Sequence, residues 1–341
     1  MFSKKIDSFI QLLFVVVLLA YFFPDGAGEA TITYLDGIAK VGIFFIFFFY
    51  GLKLNIQEVW AGISNWRVHL VVQLATFLLF PLLVLGVQPF FYAANQEVIW
   101  LGFFFLAVLP STVSSSVVMV SMARGNVPAA IFNASISGFI GMLVTPAWMS
   151  PFASTVGMKS EMTTIYLNLF LEVLLPVILG LFLNPWGGIW ARKQAKKLTL
   201  MDKATILLIV YKSFAASFLL GIFSSVSWQV MSILCVIVFL FFFLVYGLLT
   251  FLARKLQFTL EESIVVVFCG SKKSLVHGTV FSKILFAASP QLGIILLPLM
   301  MYHALQLVFS LSDKSRVGHI SHLVLGLYYG RDTSKCRFVS P

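Results

Sequence analysis

Two lysines inside an apolar run are the residues most able to do chemistry in this chain. Lys272 and Lys273 sit in Phe268 to His277, FCGSKKSLVH, between stretches rich in Val, Ile, Leu and Phe. An ammonium at the middle of a bilayer costs at least ~2.5 kcal/mol even on the most lenient insertion scale, so it has to face a cavity or a partner. Snorkelling to the interface, which suffices for Lys40 and Lys283 near span ends, gives this pair little relief, because the nearest cytoplasmic residue, Glu261, is eleven positions before Lys272. Three chemistries fit such a pair: an anion-binding charge, a titratable group for proton coupling, or a fixed cation standing where another transporter binds a metal ion. Ser271 and Ser274 flank it as hydroxyl donors.

A second polar interruption lies roughly 160 residues earlier, in Leu109 to Pro146, LPSTVSSSVVMVSMARGNVPAAIFNASISGFIGMLVTP. Pro110 has no N–H to donate and disfavours the α conformation before it, so an incoming helix stops there. Ser111, Thr112, Ser114, Ser115 and Ser116 follow, hydroxyls that can cap a restarting helix near Val117 and satisfy the freed backbone. Such a cluster suits a cation at freed carbonyls or an anion at a half-helix N-terminus, and small residues also permit close helix packing. Asn133, Ser135 and Ser137 follow, and Asn133 faces the break if the Arg124-Gly125-Asn126 turn folds its helix back. Gln73, Tyr302, His303 and Gln306 are further polar groups in apolar runs, and Glu172 with Lys212 is expected to form a buried ion pair. No nucleotide-binding loop, zinc-protease pair or nucleophile-base constellation is present, so catalytic residues are expected to be none.

The elements that position these groups are membrane helices. The 341 residues are 60% hydrophobic and 11% charged, with 36 Phe and a mean hydropathy of +0.99, whereas soluble domains average about 25% charged residues. Cys235, Cys269 and Cys336 have neither disulfide-framework nor metal-ligand spacing. Ten apolar stretches can be laid out: Ile6–Phe23, Ile38–Leu54, His69–Val87, Val98–Met122 (broken at Pro110), Pro128–Met149, Thr163–Leu183, Ala204–Ile222, Gln229–Leu252, Glu261–Phe286 (broken at Gly270) and Gln291–Leu311. The first reads as a retained span rather than a cleaved leader. An even count puts both termini on one side, and with that side cytoplasmic, seventeen Lys and Arg fall inside, Lys159 alone outside and five lysines within spans or at their rims, which accounts for all 23. This is the positive-inside pattern, and it assigns the net charge of +10 to orientation rather than to nucleic acid.

The expected fold is therefore an all-α polytopic membrane protein of ten transmembrane helices in two inverted five-helix repeats, the broken helices four and nine crossing at the midplane. Residues 1–183 hold the first repeat and the start of the second in helix six, 184–203 a cytoplasmic loop, 204–311 helices seven to ten, and 312–341 a cytoplasmic tail. Such a chain sits in the plasma membrane, the inner membrane of a bacterium.

The runs PSTVSSSVVMVSMARGNVPAAIFNASISG, FCGSKKSLVHG and LPLMMYHALQL resemble the bile acid:sodium symporter superfamily, most closely its sodium/bile acid cotransporter 7-like branch with bacterial members. The likeness covers about residues 5–310. It implies a panel domain and a core domain, sodium ions near the crossing, and an amphipathic organic anion carried by alternating access. The family's sodium positions fall here on Ser114, Ser115 and Ser116, on Ala130 to Asn133, and on Gln73. Where sodium-binding members carry a glutamate and then a glutamine on helix nine, this chain has Phe268 and Lys272. A fixed cation a few ångströms from an ion site repels it. Sodium coupling is thereby put in question, while the substrate and coupling residues become Ser271, Lys272, Lys273, Ser274 and His303. Besides the sodium-altered symporter, a proton-coupled or uncoupled anion carrier stays open. So does a membrane regulatory protein of the calcium-homeostasis type without classical transport.

Overall fold

The computed structural model describes residues 8–112, 114–152, 162–225, 227–286 and 289–311; among them every regular element is a helix. Lys159 and the tail 312–341 lie outside the described residues. In chain order the helices are α1 (Ser8–Phe22), α2 (Glu29–Lys53), α3 (Ile56–Gly62), α4 (Trp66–Ala93), α5 (Glu97–Val108), α6 (Ser114–Met122), α7 (Val127–Met149), α8 (Met162–Lys193), α9 (Ala195–Leu219), α10 (Trp228–Lys255), α11 (Leu260–Ser271), α12 (Leu275–Leu285) and α13 (Leu292–Leu311). Six segments are long and apolar enough to cross a membrane: Thr31–Lys53, α4, Val127–Phe152, α8, α10, and α11 with α12. Phe9–Phe22, α5 and Leu292–Val308 are apolar but shorter. The protein is an integral membrane protein.

Two packing groups make up the bundle. In the first, α2 lies along α8, and α9 packs on α1 and α2. Gly51 of α2 and Gly180 of α8 bring two backbones into contact: a Cβ on Gly51 would strike the Val177 carbonyl, and one on Gly180 the Phe48 carbonyl. In the second, α5 packs on α13, α10 on α11 and α13, and α7 on α3, α4, α5 and α6. The groups meet where α9 packs on α12 and α13 and where α8 packs on α7 and α12. Phe14, Leu18, Phe22, Phe182, Phe239 and Phe251 are exposed on the periphery, as a lipid-facing surface requires.

Three sequence expectations are corrected. The stretch 184–203 is not a loop: α8 continues to Lys193 and α9 begins at Ala195, with Gln194 the single residue between. Basic residues there do not end a helix that has left the hydrocarbon, and Arg192 and Lys193 favour the carbonyl end of α8. The first break ends at Ser114 rather than near Val117. The second falls at the lysines themselves, not at Gly270: α11 runs through Gly270 and Ser271, and Lys272 is extended with φ −96 and ψ 145.

Candidate functional site

Helix termini leave four carbonyls and four amides without intrahelical partners, and hydrocarbon supplies none. At the first break, four successive carbonyls find donors on other elements. The Lys273 ammonium donates to Ala107 O at 2.6 Å and Leu109 O at 2.8 Å. The Thr145 hydroxyl donates to Val108 O at 2.8 Å, and the Ser274 amide to Pro110 O at 2.9 Å. Ser111 then joins three segments: its amide donates to Ser137 Oγ at 2.9 Å and its hydroxyl to Cys269 O at 2.6 Å.

The second break is satisfied mainly from α13. Tyr302 donates its hydroxyl to Ser271 O at 2.6 Å. The Gln306 amide matches the Lys273 peptide group at both ends, accepting from Lys273 N at 3.1 Å and donating to Lys273 O at 2.9 Å. Ser274 caps α12, its Oγ accepting from the His277 amide at 3.3 Å. Each break thus supplies part of what the other lacks, and the two lie in direct contact.

Lys273 is fully buried, and three carbonyl oxygens face its ammonium: Ala107, Leu109 and, at 2.8 Å, Thr76. The Phe80 ring centroid is 4.1 Å away. An ammonium has three protons, so this donor set is matched. Thr76 O is available because in the π turn over Ala75–Leu79 the Phe80 N–H reaches back five residues to Ala75 O, and Pro81, five residues after Thr76, has no N–H to give it. The Phe77 carbonyl freed alongside accepts from Trp148 Nε1 at 2.9 Å. Hydrogen bonds to a charged group contribute about 1.5–3 kcal/mol each, so three outweigh a midplane insertion cost of ~2.5–3.5 kcal/mol. Lys272, 2% exposed, donates to Ser115 O at 3.2 Å and lies 6.0 Å from the Phe268 ring centroid.

Of the candidate sodium residues, Gln73 and Asn133 come together: Gln73 Nε2 donates to Asn133 Oδ1 at 3.1 Å and Asn133 O at 3.2 Å. Asn133 Nδ2 lies 2.8 Å from His69 Nδ1, while His69 Nε2 is 2.7 Å from Gly62 O and must donate there, so Nδ1 accepts. Gln73 Oε1 and Ser116 Oγ are buried without a hydrogen-bond partner. Ser115 Oγ is 2.7 Å from Thr112 Oγ1, and the Ser114 side chain lies outside the described part of the structure. His303 Nδ1 is 2.6 Å from Gln306 Nε2, and its ring meets Phe9 edge-on at 6.4 Å. Among the described residues there is no group of three or more His, Cys, Asp or Glu to hold a metal.

Sodium does not fit where the two breaks meet. No Asp or Glu occurs between residues 98 and 149 or between 263 and 311, the stretches that form both breaks and α13. Two lysine side chains sit in that space, and at ~4 Å a second unit cation is repelled by about 4 kcal/mol at an effective dielectric of 20.

The expected Glu172–Lys212 pair is not formed. Lys212 bonds Asp36 of α2 instead, and Lys283 lies 3.4 Å from the same carboxylate rather than snorkelling away. Asp36 fell outside the second span as drawn from sequence, because α2 starts nine residues earlier than Ile38, at Glu29. Thr76, His69, His277 and Asp36 are the site residues that sequence reasoning passed over. Pro81, five residues after Thr76, was the available signal for the first.

Residues 7–311 match the SBF-like CPA transporter family. The chain is 38% identical over 302 residues to Uncharacterized protein PA2026 of Pseudomonas aeruginosa, covering 89% of this chain and 90% of that one. It is 35% identical over 307 residues to the Escherichia coli protein named Putative symporter YfeH, covering 89% and 91%. To Sodium/bile acid cotransporter 7 of Xenopus tropicalis it is 31% identical over 327 residues, covering 89% of each.

Proposed function

The chain belongs to the SBF-like CPA transporter family, and on that premise we propose that it is a secondary transporter of a small organic anion whose core carries its own cation in Lys273. It works by alternating access, with ten helices in two inverted repeats, the broken helices α5/α6 and α11/α12 crossing at the midplane, and both termini in the cytoplasm. The repeats share residues 1–183 and 204–311, and α13 runs toward a cytoplasmic tail at 312–341. The observation that carries the reading is the Lys273 ammonium on three backbone carbonyls. Carbonyl oxygens around a cation are the ligand type a hard metal ion uses when it sheds water. Here a tethered ammonium takes that role and holds the two breaks together without a bound ion.

An anionic cargo is supported by charge. The crossing holds Lys272 and Lys273 with no acidic residue between 98 and 149 or between 263 and 311, so an entering carboxylate or sulfonate supplies the missing counter-charge. Relatives named sodium/bile acid cotransporter support the same class of cargo. Gln73 Oε1 and Ser116 Oγ, buried acceptor atoms with no partner, are proposed to meet hydroxyl or amide donors of the cargo. Ser271, Ser274 and His303 act one step back, through backbone and through Gln306.

The test is uptake into proteoliposomes of labelled organic anions, a bile acid among them, in matched sodium and choline buffers. Wild type is expected to take up at least one anion at equal rates in both, and Lys273→Ala to lose uptake. Thermal melts of the same samples separate the coupling modes, because a bound ion stabilises by mass action. Wild type should melt at one temperature in both buffers, and Lys273→Ala should gain a sodium-specific rise as the vacated carbonyls accept an ion. A sodium-specific rise in wild type would instead restore sodium symport. No uptake of any anion, with Lys273→Ala fully active in other respects, would favour the regulatory-protein reading.

A further inference from the structure

Asp36 carries two lysines from different parts of the bundle. Lys212 of α9 belongs, like Asp36, to the group formed by α1, α2, α8 and α9. Lys283, in the last turn of α12, belongs to the group that holds both breaks; its ammonium is 3.4 Å from Asp36 Oδ1 and 3.4 Å from Asp36 O. Lys212–Asp36 and Lys53–Asp202 are therefore ties within one group, whereas Lys283–Asp36 joins the two. We infer that Lys283 is a latch: its contact with Asp36 holds α12 against the first group and closes the non-cytoplasmic mouth of the transport path. The inference rests on the transporter reading above.

Two further observations support it. Lys283 is ten residues beyond Lys273, the last nine of them from Leu275 forming about 13 Å of helix, toward the end of the segment that starts at the basic cytoplasmic side. At that same end Ser217 of α9 makes a second polar bridge between the groups, its hydroxyl donating to Pro290 O at 2.8 Å and its Oγ accepting from Gly293 N at 3.1 Å.

The ion pair also has the chemistry of a contact that opens and closes. Its side chains are 14% and 35% exposed, so the contact lies at the edge of the packed bundle and not in its sealed core. When α12 moves off, Asp36 keeps Lys212 and is not left uncompensated. The released Lys283 then faces the opening mouth, the first cation that an entering carboxylate or sulfonate meets.

A reporter cysteine tests the latch. Val280 is fully buried on α12, three residues before Lys283 and so on its face. Val280→Cys in a Cys235→Ser, Cys336→Ser background is labelled with a membrane-impermeant maleimide in right-side-out and inside-out vesicles. Lys283→Gln is expected to speed labelling from outside several-fold, with Lys212→Gln and Lys283→Arg staying near the parent rate. An unchanged rate in Lys283→Gln, a rise confined to inside-out vesicles, or an equal rise in Lys212→Gln would overturn the latch. If Lys283→Gln does not accumulate, Lys283→Met, which keeps the buried stem, gives the same decision. Absence of anion uptake by wild type would remove the transporter reading and leave the labelling result standing, so the two failures are distinct.

Discussion

Gln306 shows how much one side chain does at the break. Its amide replaces the helix partners that the Lys273 peptide group lost, one bond at each end, and His303 Nδ1 sits 2.6 Å from its nitrogen. Gln306→Leu leaves a buried N–H and a buried carbonyl unpaired, each costing about 1–3 kcal/mol. A lower melting temperature in detergent is expected, with Gln306→Glu losing less because its carboxyl oxygen still accepts from Lys273 N. Should Gln306→Leu melt with wild type, the two-point match is not what holds the break. The polar type of residue 306 was legible in sequence; its partner, 33 positions earlier, was not.

At the scale of the element, proline placement was legible and its consequence was not. Pro110 marks the first break as expected, while Pro81 opens α4 and aims the Thr76 carbonyl at a lysine 197 positions away. Trp148 Nε1 on Phe77 O takes the other freed carbonyl, so Trp148→Phe should cost about 1 kcal/mol in a thermal melt, the typical net value of one hydrogen bond. Helix packing gives a paired prediction on α2. Gly37 has nothing within 4 Å of an added Cβ, whereas Gly51 would meet the α8 backbone at Val177. Gly37→Ala should leave stability unchanged or raise it by up to about 1 kcal/mol through helix propensity. Gly51→Val should push α2 and α8 apart and sharply reduce folded protein recovered from membranes. Equal recovery of the two variants would show that the close approach at Gly51 is dispensable.

For the molecule as a whole, charge distribution and packing make one orientation prediction. The 184–203 stretch is helical, but its Arg192, Lys193, Lys196, Lys197 and Lys203 still mark it as cytoplasmic. Lys196→Cys in the Cys235→Ser, Cys336→Ser background should react with an impermeant maleimide only in inside-out vesicles. Labelling from the opposite side would invert the topology and with it the mouth assigned to Lys283. The group of α1, α2, α8 and α9 and the group holding the breaks share their boundary along α9, α12 and α13. Relative movement of the groups therefore has to remake the Asp36 and Ser217 contacts there.

The sequence by itself determined that the chain is a bundle of membrane helices, that two apolar runs are interrupted, and that Lys272 and Lys273 stand in an acid-free stretch. Those properties follow from composition, from proline's missing N–H, and from the cost of charge in hydrocarbon, all of which act locally. Only the tertiary structure decided which group takes each orphaned carbonyl: Lys273 for Thr76, Ala107 and Leu109, Thr145 for Val108, and Asp36 rather than Glu172 for Lys212. In lipid every freed backbone group and charge has to be met from within the protein, yet any helix can supply the partner. The need is therefore written at the break, and the answer lies in how the helices pack.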